Sequence, residues 1–209
     1  MNTLVTFALA TLLPFLAYPQ RRPSVQQASS DDEMYEVYSA AIRDIYLKGR
    51  DESKSDDDLR AKLVVISDHT MPYSWEKWND PTQTTHKWAK NGLAIDSRIV
   101  EDFKRKCKYS VSLEMRFAFP AKQVLISDKE LDNFFRIFAH DSWERFYKRY
   151  PDSIGWVSVS RVGFNLNHDQ AFLYVDLGCG DLCGSGYYAF VAKIGGAWSV
   201  KHTYPLWVS

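Results

Sequence analysis

Apolar positions recur in two rhythms along this chain, and the rhythm changes near Trp156. Before that point they come three and four apart. Met34, Tyr38, Ala41, Ile42 and Ile45 share one helical face, with Ser30 and Glu33 spaced as a capping box and Gly49 as a stop. Ile95, Ile99, Phe103 and Cys107 recur every fourth residue around Asp96, with Val100 beside them, and predict a second helix. Leu131, Phe134, Phe135 and Phe138 follow Ser127 and Glu130 and predict a third. Trp143, Phe146 and Tyr147, after Asp141 and Glu144 and before Pro151, predict a fourth. Two short runs, KLVVIS (62–67) and KQVLIS (122–127), read as buried strands. Residues 71–92 show no period and read as a long loop carrying Tyr73, Trp75, Trp78 and Trp88, either a lid over the core or a binding surface.

From Trp156 onward the period is two. WVSVSRVGFN, QAFLYVDLG, GYYAFVAKI and AWSVKHTYPLW are separated by turn-forming stretches, and Gly195-Gly196 suits a two-residue hairpin turn with positive φ at both positions. The fold expected is α+β, with N-terminal helices packed on a C-terminal four-stranded antiparallel meander.

Between the second and third of these strands stands GCGDLCGSG (178–186). With Cys179 opposite Cys183 and Gly180-Asp181-Leu182 as the tip, the α-carbons come to about 4.5–5.5 Å, which a disulfide tolerates. A redox pair is more usually C-x-x-C at a helix N-terminus. A zinc site needs further ligands, and no second cysteine pair exists. A stapled hairpin is the expectation, with Cys107 a buried free thiol on its helix stripe.

The same register sets Leu177 against Ser185, Val175 against Tyr187 and Leu173 against Ala189. The Gly-Gly turn sets Val191 against Val200 and Ala189 against His202. One face then collects Ala171, Leu173, Val175, Val191, Trp198 and Val200, to pack under the helices. The other collects Phe172, Tyr174, Asp176, Tyr188, Phe190, Lys201 and Thr203, and a turn at Asn167-His168 adds Arg161 opposite Tyr174 and diagonal to Asp176. Arg161, Tyr174, Asp176 and Tyr188 are therefore the candidate ligand-binding residues: a cation for an anionic group and rings for stacking. The plainer reading is cross-strand packing with an Arg–Asp pair.

Net charge is zero over 209 residues, which argues against a nucleic-acid binder. The acidic DESKSDDD (51–58) and basic FKRKCK (103–108) read as solvated surface. The first eighteen residues carry no charged side chain and read as a signal peptide or an N-terminal membrane tether, followed by a linker over 19–30 and a single domain over 31–209. Export, to the periplasm or outside the cell, is the expectation. No cofactor motif, H-E-x-x-H helix or G-x-S-x-G elbow is present, and no metal site is expected.

The strings SRVGFN (160–165) and QAFLYVDLGCGDLCGSGYYAF (170–190), followed by GGAW, resemble the C-terminal meander of a set of small uncharacterised exported bacterial proteins. That resemblance implies an α+β fold and export, and carries no activity. YYAFVAKIGGAWSV (187–200) is also similar to the last hairpin of NTF2-like domains. Two functions remain open. One is a non-catalytic binding or accessory module using Arg161, Tyr174, Asp176 and Tyr188. The other is a hydrolase-type enzyme pairing His69 or His202 with a carboxylate. The absence of a nucleophile or metal motif favours the first.

Overall fold

The computed structural model describes residues 28–49, 54–72, 80–135 and 141–209. The apolar N-terminal run, most of the linker, Tyr73, Trp75, Trp78, Phe138 and His140 lie outside the described residues.

Helix α1 (Ala28–Ile42) runs on through a π-helical turn, Arg43–Leu47, and the chain leaves it at Gly49 with φ +60°. Tyr38, Ala41 and Ile42 are fully buried, as their spacing requires. The Glu33 carboxylate is committed across the fold: Lys193 Nζ lies 2.6 Å from one oxygen and His168 Nδ1 2.7 Å from the other. Burial opposes its ionisation, yet these two partners hold its pKa below the usual value. A short α2 (Asp56–Arg60) opens on a capping box between Ser55 and Asp58.

The strands β1 (Leu63–Ser67), β2 (Lys122–Ile126), β3 (Ser153–Val159), β4 (Gly163–Phe164), β5 (Gln170–Gly180), β6 (Cys183–Ile194) and β7 (Ala197–Val208) form one sheet. Its order is β2-β1-β3-β5-β6-β7, with β4 paired to β5. The α+β class holds, but the four-stranded meander is only part of the sheet. The two early apolar strands extend it, β1 lying parallel to both β2 and β3. The apolar run of β1, buried from Val64 to Ser67, suits a strand covered on both faces, while β2 forms the partly exposed edge.

Two irregularities reset the register expected from sequence. The run 156–165 is broken at Ser160: its N–H donates to Tyr174 O (2.9 Å), and Tyr174 N–H donates to Ser160 Oγ (2.8 Å). Ser160, rather than Arg161, therefore faces Tyr174. In β7 the chain bulges at Lys201, so Val200 pairs with Val191 but His202 pairs with Phe190 and Thr203 with Ala189. That extra residue carries Thr203 to the α1 face and His202 to the opposite one. The turn Gly195-Gly196 has φ +57° and +87°, as a two-residue hairpin demands.

Helix α1 covers one sheet face, packing on Leu173, Val175, Val191 and Trp198. The other face is covered in two places. Helices α3 (Pro81–Lys90) and α4 (Arg98–Lys106) bury Phe172, Tyr174, Tyr188 and Phe190 beneath Trp88, Ile99 and Phe103. Helices α5 (Asp128–Phe135) and α6 (Ser142–Arg149) pack Phe134 and Phe146 over Val65, Ile126 and Trp156. Helix α3 corrects the loop reading of 71–92. Asp80 accepts from Thr82 N–H and Pro81 takes the first turn, while Trp88 folds into the core as a lid residue. Ser127 caps α5 by accepting from Glu130 N–H (3.2 Å). Asp141 makes no side-chain cap to α6 and pairs with Arg145 instead.

Candidate functional site

The glycine-rich hairpin is where the two covered patches meet. On β5, Tyr174 belongs to the cluster under α3 and α4, while Trp156 of β3, opposite Gly178, belongs to the cluster under α5 and α6. Asp176 stands between them, paired with Ser158 on one side and Gly186 on the other. The strip of Asp176, Gly178, Gly184 and Trp207 is partly exposed.

The glycines make room for two indoles. A side chain at Gly178 would meet the six-membered ring of Trp156 at 3.3 Å, and one at Gly184 would meet that of Trp207 at 3.0 Å. Each indole directs its N–H inward. Trp156 Nε1 donates to Ser158 Oγ (3.2 Å), and Trp207 Nε1 donates to the Tyr174 hydroxyl (2.8 Å). Tyr174 donates onward to Asp176 Oδ2 (3.1 Å), and Ser158 reaches the same carboxylate through its hydroxyl and its amide. Ser67 Oγ extends the chain, 3.0 Å from Ser158 Oγ. Burial of Asp176 raises its pKa to about 6, against the pull of the Tyr174 and Ser158 hydrogen bonds. Among the described residues no Lys, Arg or His pairs with it.

Of the four residues singled out in the sequence, the fold brings three together. Tyr174 and Asp176 are hydrogen-bonded, and Tyr188 lies fully buried beside Tyr174 with ring centroids 6.3 Å apart. Arg161 is elsewhere. The break at Ser160 turns it toward a cavity of about 90 Å³ lined by Asp31, Met34, Lys106 and Phe164. Its Nη1 donates to Lys106 O (3.4 Å), while its buried Nε has no hydrogen-bond partner among the described residues. The diagonal Arg161–Asp176 pair does not form. Ser158, Trp156 and Trp207 were missed in the sequence, although the alternating glycines were a signal that something large lies across that hairpin.

The hairpin is stapled as its spacing required, by a Cys179–Cys183 disulfide with a Cα separation of 5.0 Å. Its turn is tighter than expected: Gly180 pairs with Cys183, which leaves Asp181-Leu182 as the tip and Cys179 in a bulge. Cys107 is free and buried, and burial pushes its thiol up to about 12.

A second constellation lies past the end of β1. Asp68 Oδ1 is 2.6 Å from His69 Nδ1, and His69 Nε2 is 3.1 Å from Ser112 Oγ. Backbone bonds from Leu113 N to Asp68 O and from Thr70 N to Val111 O hold the two segments together. His69 and Ser112 are exposed. His202 packs edge-on against Trp88 and pairs with no carboxylate among the described residues. A polar groove of about 670 Å³ separates the π-helical turn from β7, lined by Asp44, Lys48, Tyr187, Ser199 and Thr203. Among the described residues no group of three or more His, Cys, Asp or Glu side chains is placed to hold a metal ion, and no helix is long and apolar enough to cross a membrane.

No protein-family model, curated protein or solved structure matches this chain.

Proposed function

We propose that this protein is an exported, non-catalytic binding module whose ligand is taken at Asp176. The observation that carries the reading is a largely buried carboxyl group with no charged partner among the described residues, held by Tyr174 and Ser158 on a partly exposed strip between two indoles. Buried ionisable groups without an ion partner are costly to a fold and concentrate at functional sites. The Cys179–Cys183 bridge supports export, because such bonds persist in oxidising compartments. The test is a thermal-shift panel of polyols, sugars, amines and amino acids on the wild type and on Asp176→Asn. Compounds that stabilise the wild type and leave the variant unmoved support the reading. A panel without hits, or hits shared equally by the variant, overturns it.

A second reading rests on Asp68, His69 and Ser112. Their order of contacts is that of a carboxylate, a general base and a nucleophilic hydroxyl. It is the weaker reading, since the His69 ring stands in solvent, where water competes for the proton.

A further inference from the structure

The chemistry around Asp176 narrows what the strip accepts. Among the described residues every donor to its carboxylate is neutral: the Tyr174 hydroxyl, and the hydroxyl and amide of Ser158. From the α1 face the Tyr46 hydroxyl approaches the same point on β5, bonded to Val175 O and Ser185 O, and it too is uncharged with its pKa raised by burial. Hydrogen bonds from neutral groups orient a carboxylate but leave its charge uncompensated. Among the described residues no second carboxylate joins the network, whereas calcium sites gather several oxygen ligands. The remaining wall is aromatic. Trp156 is closed off on its far side by Trp143, stacked at 5.5 Å and 13°. Trp207 is different: it rests on Gly184 and Gly186, is partly exposed, and no ring packs against it among the described residues.

We infer that Asp176 and the open face of Trp207 form a site for an organic cation, an ammonium or guanidinium group on an alkyl stem. The cation supplies the missing counter-charge, and the stem and charge lie on an indole, whose π face attracts both. The inference rests on the reading of the Asp176 strip as a ligand site and adds the ligand's class. It also fixes a pH dependence. With Asp176 titrating near 6, about one tenth of the carboxyl groups are ionised a unit below, so affinity at pH 5 falls by roughly tenfold from its value at pH 7.5.

The experiment uses the full chain and four probes: butylammonium, butylguanidinium, the neutral 1-pentanol, and the peptide N-acetyl-Gly-Lys-Gly-amide. Binding is read by calorimetry and by tryptophan fluorescence at pH 7.5 and pH 5. Both small cations are expected to bind at pH 7.5, to lose roughly tenfold at pH 5, and to bind Asp176→Asn at least as weakly. Peptide binding much tighter than butylammonium binding identifies a basic protein segment as the source of the cation, and equal binding identifies a free amine. Pentanol binding as well as the cations, pH-independent binding, or unchanged binding to Asp176→Asn overturns the inference. The pH arm needs no variant, so a folding defect in Asp176→Asn leaves the test intact. Asp176-dependent binding of polyols without cations would sink this inference alone, whereas no Asp176-dependent binding of any kind would sink the parent reading with it.

Discussion

Trp207 lies across Gly186, with its Nε1 2.8 Å from the Tyr174 hydroxyl that in turn holds Asp176. A methyl group at position 186 would collide with both the indole nitrogen and that hydroxyl. Gly186→Ala should therefore unseat Trp207 and cost about 1–3 kcal/mol, the usual penalty for overpacking. Chemical denaturation measures the loss, and the emission of Trp207 should move to the red as the ring meets water. An unchanged midpoint would mean that the indole does not sit on this glycine.

The pKa of Asp176 also makes a statement about stability. A carboxyl raised from 3.8 to about 6 binds its proton more tightly in the folded state than in the unfolded one. Stability from this group is therefore greatest below about pH 4 and declines as pH rises through 6. The shift corresponds to roughly 3 kcal/mol above pH 7. Relative to Asp176→Asn, the wild type should lose that amount between pH 4 and pH 8 in parallel denaturation curves. A constant difference across the range would show that the group is not desolvated.

The cysteines should divide two to one. Thiol labelling of unreduced, denatured protein is expected to find one reactive cysteine, Cys107, and the native protein none, since that thiol is buried and its pKa lies near 12. Opening the short loop by Cys183→Ser should cost about 2 kcal/mol on the chain-entropy estimate. Three labelled thiols in the denatured state would remove the staple.

Ser112 gives a direct test of the hydrolytic reading. A fluorophosphonate should leave it unlabelled if its hydroxyl merely rests on His69, and should add a phosphonyl group at Ser112, displacing fluoride, if His69 activates it. Peptide mass mapping reads the site. Loss of labelling in His69→Ala would be required before any esterase assay is interpreted.

The sequence was most legible where a period is long or a turn is chemically explicit. The stripe Ile99, Phe103 and Cys107 lies buried together, and the Gly195-Gly196 turn and the β5–β6 register as far as Gly178 are as their residues dictate. The errors sit where a single residue is inserted. One irregular residue near Ser160 sends Arg161 away from Tyr174, and one at Lys201 sends Thr203 to the other face, because side-chain direction in a strand inverts with every residue. Bulges carry no compositional mark of their own, so the candidate site was half visible. Tyr174 and Asp176 followed from strand alternation. Ser158 depended on the β3–β5 pairing, and Trp207 on two register shifts within the β6–β7 hairpin, which no local pattern reports. Helix α3 was hidden for another reason: its threonines favour non-helical structure locally, and it is Asp80-Pro81 and the burial of Trp88 that place a helix there.

The strand order has a consequence for how the chain is born. β1 is completed by β2 and β3, both made later, and α1 is anchored by groups from near the end of the chain. Tyr38 donates to Ser160 O across 122 positions, and Glu33 meets Lys193 across 160. The N-terminal part can pair β1 with β2, but α1 finds its anchors only in later strands, and closing such long loops is slow. The sheet is therefore completed only when the last hairpin, β6–β7, is available to pair with β5 and to anchor α1.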